Sequence, residues 1–230
     1  MNWTARYRLG ELIYENSLGV PADVAVFRME GQAAVTFPLG RMRLENMLDP
    51  EQGQASNFVF WCPEVFPNQI SIQWEFWPIR EPGLCMLFFA AAGRDGEHLF
   101  DASLQPRDGQ YPMYHSGEIN TYHLSYFRRK LADERRFHTC NLRKSFGFHL
   151  VAQGADPIPE ASEAVGPYRL QLIHAAGEIF FSVNELPVLY WRDDGVATGP
   201  ILGEGLLGFR QMAPMMAEYA KLRVHRLALI

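Results

Sequence analysis

Strict alternation of apolar and polar side chains is the feature that most restricts how this chain can fold. In residues 70–77, isoleucine, isoleucine, tryptophan and phenylalanine occupy every second position, and mostly polar side chains lie between them. A period of two predicts a β-strand with one buried face. Residues 84–92 form an unbroken apolar run, which is too short for a membrane helix of about 20 residues and indicates a fully buried strand.

The last third of the chain predicts a succession of short strands. Residues 168–174 and 178–184 form a hairpin around Ala175-Ala176-Gly177, and strands follow at 188–191, 205–212 and 218–230. Turn residues separate these segments, as is typical of antiparallel sheets. Earlier strands are expected at 122–130 and at 145–153, the second with Phe146, Phe148 and Leu150 pointing inward.

Helical periodicity is weak, and only residues 128–137 could form a short helix. Many short strands with little helix predict an all-β, antiparallel two-sheet sandwich or barrel. We expect one domain of residues 1–230, with its first and last strands close together. Residues 93–121 and 154–166 are expected to be long loops, where all-β proteins often carry their function.

The cysteines and the N-terminus indicate the compartment. Cys62, Cys85 and Cys140 are widely spaced and odd in number, which argues against a disulfide framework and fits a reducing environment. The first twenty residues lack the apolar stretch of a secretory signal. We therefore expect a cytoplasmic protein that is not bound to a membrane.

The charge of the chain is unevenly distributed. Its net charge is −5, yet residues 115–150 contain seven Lys and Arg against three Asp and Glu. The same window contains four of the seven histidines: His115, His123, His138 and His149. Function should explain this basic, histidine-rich window, which we call the basic window.

Several catalytic signatures are missing or lack their context. The glycines of Gly203–Gly208 match G-x-G-x-x-G, but strand-like residues follow where a dinucleotide fold needs a helix. Neither a phosphate-binding loop nor a G-x-S-x-G motif occurs. His138, Cys140 and His149 lack the paired spacing of a zinc site. We predict no metal and no cofactor.

Glycoside hydrolysis needs two carboxylates on either side of the scissile bond. The compact E-x-D-x-x-E arrangement on one strand is absent, and Asp193-Asp194 resembles a turn. Carboxylates contributed by separate strands leave a glycoside hydrolase as an open alternative.

The basic window has three interpretations. Interleaved Arg, Lys and aromatic residues could bind nucleic acid, but the overall charge of −5 argues against this. The window could be a solvated surface. It could instead be a pocket for the carboxylate of an acidic sugar, because Arg pairs with carboxylates in a bidentate manner.

The third interpretation suits β-elimination of a uronic acid. Cations and amides neutralise the carboxylate, and His or Tyr removes the adjacent proton. The candidate acids and bases are His138, His149 and Tyr126. Asn141, Gln153 and Gln211 are possible amide donors, and the candidate substrate contacts in or near the window are Arg128, Arg129, Asn141, Arg143, Lys144 and Gln211.

Two tryptophans are candidate platforms for a sugar ring. Trp77 lies on the polar side of its strand, and Trp191 is followed by Arg192 and Asp193. The apolar face of a sugar packs well on an indole ring. Ordinary packing is the competing interpretation for each of them.

Several segments resemble a known family. Residues 168–172, 177–184 and 188–193 look like the closing strands of concanavalin A-like sandwiches. Residues 208–214, 125–129 and 138–144 are similar to the YesU-like domain-of-unknown-function family of the concanavalin A-like lectin/glucanase superfamily. The resemblance implies a jelly-roll sandwich and a link to pectin-type oligosaccharides. It implies no established activity and no catalytic residues.

We therefore predict a cytoplasmic protein that handles carbohydrate: it binds acidic plant-type oligosaccharides, and any cleavage is by lyase-type elimination rather than hydrolysis. Its expected partner is an oligosaccharide that contains uronic acid, not nucleic acid or a membrane. The rival hypotheses are a non-catalytic lectin-like module, a glycoside hydrolase and a structural protein without a ligand. The sequence predicts no oligomeric state.

Overall fold

In the computed structural model, which describes residues 3–230, two antiparallel sheets pack face to face. The strands are β1 (Tyr7–Asn16), β2 (Arg28–Glu30), β3 (Ala33–Thr36), β4 (Met42–Asn46), β5 (Phe58–Phe66), β6 (Ile70–Arg80), β7 (Leu84–Gly93), β8 (Ile119–Arg128), β9 (Thr139–Ser145), β10 (His149–Ala155), β11 (Tyr168–Ala175), β12 (Glu178–Val183), β13 (Leu186–Arg192), β14 (Gly205–Met212) and β15 (Met216–Leu229). Two short α-helices are α1 (Pro112–His115) and α2 (Ala132–Phe137), and the 3₁₀ turns are Trp3–Ala5, Pro21–Val24, Pro38–Gly40 and Pro50–Ser56.

The two sheets divide the strands between them. One sheet has eight strands, in the order β13-β12-β11-β6-β15-β4-β3, with β1 paired to β15. The other has seven, in the order β10-β9-β8-β7-β14-β5-β2. The expected closeness of the first and last strands is confirmed, because β1 and β15 pair from Tyr7–Leu229 to Asn16–Leu222. The all-β, two-sheet sandwich is therefore confirmed.

Alternation explains how each strand contributes to the core between the sheets. The four apolar positions of β6 from Ile70 to Phe76 are buried, and Gln73 and Glu75 between them are only partly buried. In the seven-stranded sheet, Tyr122, Leu124 and Tyr126 of β8 face the same core. The intervening residues of β8 must therefore lie on the outer face of that sheet.

The strand expected over residues 145–153 is confirmed only from His149 onward. β9 ends at Ser145, the chain turns, and β10 begins at His149. The turn contains two positive φ angles, 113° at Gly147 and 58° at Phe148, which a continuous strand does not allow. Phe146, Phe148 and Leu150 are between 38% and 49% exposed, so none of them points into the core as expected. The helix expected at 128–137 begins only at Ala132, because β8 continues to Arg128.

Residues 94–118, most of the first expected loop, cover part of the outer face of the seven-stranded sheet. Leu99 and Tyr114 from this segment are fully buried against Trp61 of β5 and Phe88 of β7. The segment is therefore a packed part of the fold, and we call it the cover segment. Within residues 3–230, no helix is long and apolar enough to cross a membrane.

Candidate functional site

Polar side chains collect on the outer face of β8, β9 and β10, beside the cover segment, and they range from fully buried on β8 to exposed on β10. Outward positions alternate with those that face the core between the sheets, so neighbouring strands pair His123 with Arg143 and Asn141 with Gln153. Tyr111 and His115, at the end of the cover segment, border this surface. We call the group the polar patch: Tyr111, His115, His123, Arg128, Asn141, Arg143 and Gln153.

A chain of hydrogen bonds links the cover segment to the sheet. His123 is fully buried, and its Nδ1 lies 3.1 Å from the Tyr111 hydroxyl. Its Nε2 hydrogen-bonds with the Ser145 hydroxyl. The ring also meets Phe88 edge-on at 4.7 Å between centroids. His123 is thus fixed beneath Tyr111, whose side chain is only partly buried.

Aromatic rings surround Arg143 at the end of β9. Its guanidinium lies 4.0 Å from the centroid of the Phe148 ring and donates a hydrogen bond to the Phe148 carbonyl oxygen at 3.1 Å. The His115 ring packs on the other side of Phe148, 4.2 Å away, and lies 5.0 Å from the Tyr111 ring. Arg143, His115 and Tyr111 therefore share one corner of the patch.

Two arginines near this corner lack an acidic partner. None of the ion pairs formed by residues 3–230 includes Arg143 or Arg210. Arg210 is fully buried, stacks on Tyr111 at 4.8 Å, and donates to the Gly109 carbonyl oxygen at 2.6 Å. An unpaired charge that is withdrawn from water is costly. The corner is therefore electrostatically prepared for an anion.

Amides and a paired arginine form the rest of the patch. The Gln153 and Asn141 side chains hydrogen-bond to each other at 2.9 Å across β10 and β9. Arg128 donates to the Thr139 hydroxyl at 2.6 Å and to the Glu134 carboxylate at 2.8 Å. Since Glu134 already balances its charge, Arg128 is a weaker anion contact than Arg143.

Burial and the arginines set the protonation states. Burial, followed by the charges of Arg143 and Arg210, lowers the pKa of His115, so the ring is neutral at pH 7. Burial lowers the pKa of His123 well below its usual range. Burial raises the pKa of Tyr111 to about 12, although Arg210 and Arg143 oppose the shift. The corner thus holds a neutral imidazole beside a protonated phenol.

The structure brings together Arg128, Asn141 and Arg143 among the predicted site residues. It removes Tyr126 and Gln211 from consideration, because both face the core between the sheets and are fully buried. Tyr126 packs edge-on against Trp74 and Phe76. The Gln211 amide and the Tyr219 hydroxyl hydrogen-bond to each other at 2.8 Å.

Two predicted cationic contacts are engaged inside the protein. Arg129 is fully buried and pairs with Asp156 at 2.7 Å. Lys144 points to the same inner face of β9 as Leu142, two residues before it. Its side chain is 1% exposed and pairs with Asp193 at 2.6 Å. Neither the Arg129 guanidinium nor the Lys144 amine is free to contact a ligand.

The remaining predicted residues are dispersed. His138 follows α2 and lies near the Asp156 end of β10, whereas His149 begins that strand, about 20 Å away at the usual rise per residue. Trp77 lies on the outer face of the opposite sheet, under the Arg41 guanidinium at 4.3 Å. Trp191 lies on edge strand β13 and packs toward Tyr122 of the core.

Sequence reasoning missed Tyr111, His115, His123 and Arg210 as site residues. Both histidines belong to the basic window, which is the sequence signal that could have pointed to them. The orientation of each side chain depends on strand register, which the sequence did not determine. Within residues 3–230, no group of His, Cys, Asp and Glu is arranged to hold a metal ion.

Comparison with known proteins gives the family. The model of the Domain of unknown function (DUF1961) matches residues 11–224. The chain belongs to this family. It is similar to the uncharacterized protein YesU of Bacillus subtilis (strain 168), with 54% identity over 220 residues, which are 96% of this chain and 98% of the relative. The predicted resemblance to the YesU-like family is confirmed.

Solved structures give the same fold. A Bacillus subtilis protein of unknown function with a galectin-like fold has 54% identity and a TM-score of 0.93, covering 96% of this chain and 99% of its own. The CBM66 carbohydrate-binding module from Bacillus subtilis aligns with a TM-score of 0.54 at 12% identity, covering 91% and 97%. A prokaryotic β-1,3-1,4-glucanase derived from a mouse hindgut metagenome aligns with a TM-score of 0.58 at 10% identity, covering 93% of this chain and 98% of its own. The DUF1961 chain is thus a galectin-like sandwich.

Proposed function

We propose that this DUF1961 protein binds acidic oligosaccharides at the polar patch and cleaves them by β-elimination beside a uronate carboxylate. One observation carries the proposal: Arg143 is partly buried, has no acidic partner within residues 3–230, and stacks on Phe148, whose ring also contacts Tyr111 and His115. Carbohydrate-binding and glucanase neighbours in the same fold support a sugar ligand in general.

Elimination needs three functions that the corner supplies. A cation must neutralise the uronate carboxylate, so that the adjacent C–H bond becomes acidic. A base takes that proton, a C=C bond forms between the two ring carbons, and the glycosidic C–O bond breaks. An acid gives a proton to the departing oxygen. The reaction is balanced without any oxidant, water or cofactor.

We assign these functions by exposure and protonation state. Arg143 binds the carboxylate, with the Asn141 and Gln153 amides beside it. His115 is neutral at pH 7 and reaches solvent, so it serves as the base. Tyr111 keeps its proton at pH 7 and serves as the acid. His123 is fully buried, so it positions Tyr111 rather than contacting the sugar.

The proposal is tested with uronic-acid oligosaccharides and neutral oligosaccharides of the same length. Elimination produces an unsaturated uronate that absorbs ultraviolet light, so its formation is followed directly. We expect product only from the acidic series. Equal binding of the neutral series without any product would overturn the acidic specificity and favour a lectin-like module.

The Arg143→Ala substitution gives the first quantitative prediction. Removing a group that stabilises developing charge typically lowers kcat by about 100-fold or more, and we expect a loss of that size. Arg223→Ala is the matched control, because Arg223 lies on the opposite sheet in an exposed pair with Glu15. Unchanged turnover in the Arg143→Ala protein would refute the assigned role.

The cytoplasm is the compartment that we propose for this activity. Cys62, Cys85 and Cys140 are free and buried, and such thiols suit a reducing environment.

A further inference from the structure

The cover segment closes one side of the polar patch. It lies over β7, β14 and β5, where Tyr114 packs against Trp61 and Phe88 at centroid distances of 6.3 and 5.3 Å. Leu99 and Ile119 are fully buried in the same cluster. The outward side chains His123 and Ser125 of β8 are buried as well, so the part of the patch that reaches solvent lies on β9 and β10.

Buried polar contacts fix the cover segment in this position. The Glu30 carboxylate of β2 accepts hydrogen bonds from Trp61 Nε1, the Tyr114 hydroxyl and an Arg107 nitrogen, each at 2.8 Å. The Gly109 N–H donates to the Tyr114 hydroxyl at 3.0 Å, and the Gly109 carbonyl accepts from Arg210. A segment held by charged, buried contacts is not easily displaced by a ligand.

The same segment also closes the end of the patch where β9 finishes. The Gly147 N–H donates to the His115 carbonyl oxygen at 2.9 Å, which joins the turn after β9 to α1. Phe148 fills the space between His115 and Arg143. Beyond β9, by contrast, Gln153 of edge strand β10 is exposed to solvent.

From these contacts we infer that the patch recognises the end of a glycan chain and not its interior. The inference rests on the proposed function and specifies its substrate class: short acidic oligosaccharides and the termini of longer chains. A sugar bound at the Arg143 corner meets the cover segment on one side and Phe148 at the end. The chain can then continue only away from this corner, toward Asn141 and Gln153.

The stoichiometry of binding distinguishes the two modes. A protein that binds chain ends takes up one copy per chain whatever its length, whereas an interior binder takes up more copies as the chain grows. The probes are size-defined oligogalacturonides of increasing length and the parent polymer. Binding is measured by calorimetry with the Tyr111→Phe protein, so that turnover does not shorten the chains.

We expect one protein per chain throughout the series. With the active protein, we expect the smallest product to appear alone from the start. A stoichiometry that rises with length, or a mixture of product sizes from the start, would overturn chain-end recognition and leave the proposed function intact. Absence of binding to every member would overturn the proposed function itself.

A pair of glycine variants tests whether the cover segment causes the restriction. Gly109 and Gly96 both lie in this segment with φ near 90°, so alanine costs backbone energy at both. At Gly109 the new Cβ would lie 2.2 Å from the Asn57 carbonyl oxygen, whereas Gly96 faces open space. Gly109→Ala must therefore displace the segment, and Gly96→Ala need not.

We expect more than one copy of the Gly109→Ala protein to bind to each long glycan chain, while the Gly96→Ala protein still binds one copy per chain. Identical ratios for both variants would show that the cover segment does not limit the site. Circular dichroism confirms that each variant is folded before binding is compared. If Gly109→Ala does not fold, the length series with the unsubstituted cover segment decides the question.

Discussion

At the scale of single residues, Arg143 has two effects: it favours an anionic ligand, and it lowers the pKa of the neighbouring His115. Its positive charge lies close enough to contribute to the lowered pKa of His115, after burial itself. Like charges disfavour a protonated imidazole, so removing one cation should raise that pKa. The effect can be measured without any substrate.

We therefore predict that Arg143→Gln raises the pKa of His115, observed by the titration of its ring resonances in NMR spectra. The acid limb of a pH–activity profile requires neutral His115 and should move to higher pH in the same variant. Arg223→Gln, on the opposite sheet, is the control and should leave the resonance unchanged. A lower or unaltered pKa in Arg143→Gln would contradict the proposed proximity.

A predicted site residue that lies on the polar patch and one that lies in the interior can differ by a single position in a strand. Arg143 lies on the polar patch, while Lys144 next to it pairs with Asp193 in the interior. Successive side chains point to opposite faces, so register decides which cation is available. Both faces of β8 and β9 are largely buried, and polarity alone therefore could not identify the outer one.

At the scale of elements, the position of the cover segment depends on a contact that is distant in sequence. Glu30 and Arg107 are 77 residues apart and form an ion pair in which both side chains are less than 10% exposed. Alternation and turn residues predicted the strands, and the length of the loop suggested a function. The docking of that loop onto β5 and β7 could not be predicted, because it depends on the contact between Glu30 and Arg107, which no sequence pattern indicates.

Glu30→Ala should be strongly destabilising, because it leaves Arg107 buried without its partner. Breaking one side of a buried pair typically costs about 3–5 kcal/mol, and we expect a loss in this range in urea unfolding. Glu45→Ala provides the comparison, since its pair with Arg80 is solvent-exposed and should contribute less than about 1 kcal/mol. Similar losses for both variants would argue against a special role for Glu30.

At the scale of the whole molecule, burial of histidine links stability to pH. His174 is 2% exposed, and burial lowers its pKa from 6.5 to about 4, while the Leu202 backbone and Asp193 oppose the shift. The unfolded chain binds a proton near pH 6.5 that the folded protein does not. This contribution to stability is complete above pH 6.5 and is lost as the pH falls toward 4.

Other groups contribute to the same range, so the difference between two proteins is the informative quantity. Burial also lowers the pKa of His123, which adds to the effect. Asp156 acts in the opposite direction, because burial raises its pKa to about 6 despite Arg129. Both groups remain in a His174→Gln variant, and their contributions cancel when its free energy of unfolding is subtracted.

We predict that the stability advantage of the unsubstituted protein over His174→Gln shrinks by roughly 3 kcal/mol between pH 7.5 and pH 4. Urea unfolding at several pH values measures this difference. His149→Gln, at an exposed position, is the control. The difference between its free energy of unfolding and that of the unsubstituted protein should not change with pH. A pH-independent difference for His174→Gln would mean that the buried ring is not the source, and that the acid sensitivity of this sandwich comes from other groups.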